Sequence, residues 1–157
     1  IQNGELVQVG TYRTSDPVAL ALGARPLSPE KSSNYGLGGV WQPTANFTSS
    51  LDVYQIRIWD QILYSDQLQL AQPIGQVAAV QFFVNGATSR TRGVDWVNSY
   101  IADLGELGQL TLGASANYNK TTILELSNPN FGRASQGLLT DATPRTKFMA
   151  WADWAIG

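Results

Sequence analysis

The side chains in this sequence whose types and spacing could do chemistry are few: the carboxylates Asp95 and Asp103, the carboxylates Asp60 and Asp66, and the cations Arg90 and Arg92. Asp95 and Asp103 lie in a stretch with strand periodicity, which separates them by about 26 Å at strand rise. Carboxylate pairs that act on one bond stand within about 5–10 Å of each other, so these two do not cooperate. Asp60 and Asp66 flank a polar stretch and read as solvated loop charge. Arg90, Arg92 and Asp95 form an interior charge cluster if they share a face, and their expected work is to pair with neighbouring strands and hold register. The chain has no histidine and no cysteine. Thiolate and imidazole metal sites are therefore impossible within it, as are Ser-His and Cys-His nucleophilic pairs. No catalytic site, cofactor site or metal site is expected, and the protein does not read as an enzyme.

The elements that hold these residues are more informative. Gln109 to Lys120, QLTLGASANYNK, splits by parity. Leu110, Leu112, Ala114, Ala116 and Tyr118 make an apolar face, and Gln109, Thr111, Gly113, Ser115, Asn117 and Asn119 make a polar face of small uncharged groups. This is the period-2 signature of a strand with two different environments. The same pattern recurs at Tyr35, Leu37, Gly39 and Trp41, at Phe47, Leu51 and Val53, at Val94, Trp96, Tyr100 and Ala102, and at Phe148, Ala150, Ala152, Trp154 and Ile156. Beyond Tyr54 the alternation fails, which predicts either a bulge or the end of the one-sided environment. Asn85-Gly86 fits a hairpin turn or a bend inside one long strand.

Of the 157 residues only 14% are charged, against about 25% in an ordinary soluble domain. A net charge of -2 gives no basic field for nucleic acid, so nucleic-acid partners are discarded. No apolar run approaches the ~18 residues of a membrane-spanning helix. The predicted strands run to roughly 10–17 residues, where globular strands average about 5–6. Short turns at 43–46 and 104–108 alternate with long polar connections expected as loops at 64–76 and 126–143; residues 1–31 are expected as loop with a short strand at Leu6 to Tyr12 and a helical turn at Val18 to Leu22. Long strands with short turns on one rim and long loops on the other describe a membrane β-barrel. The aromatic spacing agrees, since Tyr35 to Trp41 and Phe148 to Trp154 each span about 20 Å. The rival is a soluble all-β binding module whose apolar faces pack sheet on sheet.

Several short stretches resemble TonB-dependent outer-membrane receptors. Pro29-Glu30-Lys31-Ser32, Tyr35, Leu37-Gly38 and Trp41-Gln42-Pro43 are similar to one family strand pair; Leu51 to Ile56 follow. Asn85-Gly86 and Thr91-Arg92-Gly93-Val94-Asp95 are similar to a second motif, and Thr143-Pro144-Arg145 to the entry of a later strand. The resemblance covers roughly residues 26–156. It implies an antiparallel transmembrane barrel of about 22 strands, of which this chain supplies about five or six, in the outer membrane of a Gram-negative bacterium. It also implies a plug domain, absent here, and uptake of a scarce ligand of the siderophore, cobalamin or glycan class energised through TonB. A passive porin-like barrel fits these motifs less well. The expected partners are outer-membrane lipids, the remaining strands, the plug, and TonB by way of the plug. Five or six strands cannot close, and an open edge in hydrocarbon is costly, so the chain reads as a partial one. Individual ligand-binding residues are unknown; loops 64–76 and 126–143 are where contacts are expected, and Tyr64 is a candidate stacking surface for which loop packing is the preferred reading.

Overall fold

A computed structural model describes residues 8–156. Its elements are β1 (Gln8–Thr11), α1 (Pro17–Ala21), β2 (Lys31–Thr44), β3 (Phe47–Tyr64), β4 (Leu68–Ile74), β5 (Val77–Gln81), β6 (Phe83–Asp103), β7 (Gln109–Leu126), α2 (Arg133–Asp141) and β8 (Thr146–Ala155). Five of the strands form one sheet in the order β2-β3-β6-β7-β8. The others form a three-stranded sheet, β1-β5-β4. Contacts divide the chain into a loop unit, residues 1–33, 57–90 and 122–142, and a sheet unit, residues 34–56, 91–121 and 143–157.

The loop unit has a core. Ala19, Val80, Phe82, Val84, Ala87 and Phe131 bury together, and Leu68, Leu70 and Leu139 pack against them. Fully burying a side chain such as Phe82 stabilises by about 1.5–3 kcal/mol. The helical turn expected at Val18 to Leu22 is present as α1. Asp16 caps it by accepting from the Val18 N–H, and Pro17 stands at the first helical position. The strand expected from Leu6 appears as β1, with Leu6 and Val7 outside the described residues.

The connections at 64–76 and 126–143 differ from the polar loops expected. The first contains β4, which runs antiparallel to β5 with Leu68 opposite Val80. Its alternation, Leu68 and Leu70 against Gln69 and Ala71, is too short to stand out among the glutamines. The second contains α2, and Asp66 is not simple loop charge. The Asp66 carboxylate accepts from Ser135 N–H at 3.0 Å and from Ser135 Oγ at 2.6 Å. It therefore caps the first turn of α2 from a distant part of the chain, satisfying a donor that the helix itself leaves open. Asp60 takes a left-handed φ of 53°, and its carbonyl accepts from Asn85 Nδ2 at 2.6 Å.

Asn85-Gly86 lies inside β6 and makes no hairpin. The Asn85 side chain also holds Ser28, accepting from its N–H at 2.8 Å and donating to its carbonyl at 2.9 Å. Gly86 is buried, and a Cβ there would lie 2.9 Å from Phe131 Cγ. The alternation lost after Tyr54 has its cause in burial: from Tyr54 to Leu63 both parities are half-buried, so the strand has entered a two-sided environment. Gly86→Leu drives a side chain into Phe131, and overpacking of this kind costs about 1–3 kcal/mol. It should lower the urea midpoint and expose 126–143 to protease, whereas Gly137→Ala, which meets no atom within 4 Å, should do neither; equal behaviour of the two variants would contradict this packing.

Candidate functional site

The sheet unit is built on a fixed register. β7 and β8 pair antiparallel, with Leu110 opposite Trp154, Leu112 opposite Ala152, Ala114 opposite Ala150 and Ala116 opposite Phe148. Between these pairs stand Thr111 opposite Asp153, Gly113 opposite Trp151, Ser115 opposite Met149 and Asn117 opposite Lys147. The even positions of both strands therefore share one face and the odd positions the other, where Met149 and Trp151 stand among the polar groups. At the β6–β7 turn the Leu104 N–H donates to Gly108 at 2.9 Å. The same register continues upward, where Thr91 and Thr121 share a hydroxyl bond of 2.8 Å and Asn117 Nδ2 donates to Asp95. Between β3 and β6, Ile101 N–H donates to the Asn46 carbonyl at 2.8 Å and Arg92 Nε to Gln55 Oε1 at 2.7 Å.

Two faces result. One carries Tyr35, Leu37, Leu51, Val53, Val94, Trp96, Tyr100, the even positions of β7 and the even positions of β8. Its aromatic residues are anchored beside the two short turns, at one of the two levels expected for an interface. Trp41 meets Phe47 edge-on at 5.9 Å, and Trp154 Nε1 donates to the Leu107 carbonyl at 2.9 Å beside the turn. An indole that buries its ring in apolar surroundings and satisfies its N–H at the edge is what a membrane border favours. The other face carries Asp52, Asp95, Ser115, Asn117, Lys147 and Asp153. There the Tyr54 ring lies where a Cβ on Gly93 would stand, which explains the glycine in the Thr91 to Asp95 motif.

The expected cluster of Arg90, Arg92 and Asp95 is not brought together. Arg92 is on the apolar-face parity and is tied to β3 through Gln55, whereas Asp95 is on the opposite face and is tied to β7 through Asn117. Both are cross-strand register contacts, the role expected for them. Of the carboxylates considered for acid–base work, Asp103 accepts from the Gly105 N–H at 2.9 Å and closes the turn. Among the described residues no group of three or more potential metal ligands occurs. Tyr64, for which loop packing is preferred over stacking on a ligand, stacks on Phe83 with ring centroids 4.3 Å apart and planes 26° from parallel. Sequence reasoning missed Asp66, Asn85 and Asn130; the last donates to the Leu22 carbonyl at 2.9 Å. Their signal was only polarity at loop positions.

The sheet unit has no core of its own. Among its described residues no apolar side chain is buried; Leu112 is 43% exposed, Trp154 55% and Phe148 80%. A sandwich would bury these residues beneath a second sheet. Comparison with known families then decides the class: a family model described as "TonB dependent receptor-like, beta-barrel" matches residues 2–157. The chain belongs to the TonB-dependent receptor β-barrel family. No curated protein and no solved structure matches it. The apolar face is thus the outer wall of a receptor barrel segment. No helix among the described residues is long and apolar enough to cross a membrane, so any crossing is by strands.

Ala114 and Ser115 are adjacent on β7 but on opposite faces. Ala114→Lys should reduce assembly of the parent receptor in the membrane, at a cost of about 2–4 kcal/mol for a lysine near the bilayer midplane. Ser115→Lys should assemble normally. The heat-resistant folded band on an unheated gel reads both, and equal yields would contradict the assignment of faces.

Proposed function

We propose that this chain forms part of an outer-membrane receptor that imports a scarce ligand of the siderophore, cobalamin or glycan class, with energy delivered through TonB. The observation that carries the reading is the sheet unit: five strands in register with an apolar face that no protein layer covers, in a chain of this barrel family. Such a face needs hydrocarbon against it, and such a sheet needs further strands at its β2 and β8 edges. The plug domain and the remaining strands are the partners that complete the barrel, with TonB reached through the plug. The location is the outer membrane of a Gram-negative bacterium, with outer-membrane lipids around the apolar face.

In this reading the loop unit stands on the outer side and meets the ligand. It is suited to that work because it is prefolded: Asp66 ties 64–76 to 126–143, Asn130 ties 126–143 to Leu22, and Asn85 joins Ser28 to Asp60, so ligand contact would cost little ordering entropy. Replacing either 64–76 or 126–143 with a short flexible linker should reduce ligand uptake by intact cells while the receptor still assembles. Undiminished uptake with both segments replaced would remove these segments from the ligand path.

A further inference from the structure

Acids are confined to one face of the sheet unit, where Lys147 stands among them. On the strands at 34–44, 47–56, 91–103, 109–121 and 146–155, the acids Asp52, Asp95, Asp103 and Asp153 all fall on the polar parity. The apolar-face parity of the same strands holds only Arg92 and Lys120, and both are exposed. The register carried from Leu104–Gly108 through Asp95–Asn117 to Thr91–Thr121 puts Arg92 directly opposite Lys120. Like charges facing each other across two strands repel. Gln55 takes one guanidinium N–H but supplies no negative charge.

The height of the pair names what neutralises it. Lys120 is ten positions from Leu110, which pairs with Trp154 at the other border. That is about 34 Å along the strand, or about 24–28 Å along the membrane normal at a tilt of 35–45°. An apolar band about 25 Å tall therefore ends at this pair. Tyr35, Leu37 and Val53 lie beside Arg92 and Gln55 around one recess, which gives an acyl chain apolar surface next to the charges.

We propose that Arg92 and Lys120 clamp the phosphate of a lipid headgroup at the membrane border. The guanidinium presents a planar fork that suits phosphate, and the ammonium adds a point charge from the adjacent strand. The proposal rests on the assignment of the apolar face to lipid.

The test uses the full-length parent receptor in detergent, titrated with phosphatidic acid, phosphatidylcholine or inorganic phosphate and read by native mass spectrometry. Wild type should hold phosphatidic acid in preference to phosphatidylcholine, and excess inorganic phosphate should not displace it. Arg92→Gln/Lys120→Gln should weaken phosphatidic acid binding by roughly tenfold or more and leave phosphatidylcholine unchanged. Lys120→Glu replaces the repulsive pair with an attractive one, so it should abolish the preference while the folded band persists. Equal phosphatidic acid binding by wild type and both variants overturns the proposal. So does equal binding of the two lipids by wild type, which assigns the contact to acyl burial alone, or displacement by inorganic phosphate, which assigns the pair to a soluble anion. Normal assembly of Ala114→Lys would instead overturn the lipid-facing assignment itself.

Discussion

A β-sheet whose apolar face has no protein over it is stable only if something other than water covers that face. This constraint orders the rest of the molecule. In the sheet unit no described apolar side chain is buried, yet Leu110 to Tyr118 of β7 and Phe148 to Trp154 of β8 place apolar residues at every even position of one face, with Met149 and Trp151 on the other. Backbone hydrogen bonds hold the strands together, and register contacts such as Arg92–Gln55 and Asn117–Asp95 fix which residues face which way. In the proposed reading, burial of the apolar face by lipid would supply the stabilisation that a second layer supplies in a soluble sandwich.

The loop unit obeys ordinary globular rules. It buries Phe82, Val80 and Phe131, caps its helices and joins distant segments through side chains such as Ser65 and Asn130. The residues of the family motifs earn their place here and in the sheet through packing and hydrogen bonding. Glu30 accepts from the Ile62 N–H, Asn85 holds Ser28, and Gly93 admits the Tyr54 ring. Motif residues in this chain therefore report how the barrel is built.

The sheet was legible in the sequence because each strand carries many repeats of one simple alternation. Leu110 to Tyr118 announce their face five times over, and a single register from turn to turn preserves it. The loop unit was not legible because its order comes from contacts distant in sequence. Asp66 is an unremarkable loop acid until Ser135, 69 residues away, is brought to it. Asn85-Gly86 fits a hairpin and a bend within one strand equally well until β6 is seen to run on through the glycine, with Phe131 against it. The parity of Arg92 and Asp95 was readable at once, but their partners on different strands required the register.

This sequence contains no cysteine, so once any cysteine elsewhere in the parent receptor is replaced a spin label can be placed within it at one position at a time, the most direct measurement of the central claim. With the parent receptor in bilayers, labels at 110 through 118 should alternate: collisions with dissolved oxygen dominating at the even positions, collisions with a water-soluble nickel chelate favoured at the odd ones. A profile without that alternation, or with its phase reversed, would contradict the claim that the even-numbered side chains of β7 lie against acyl chains.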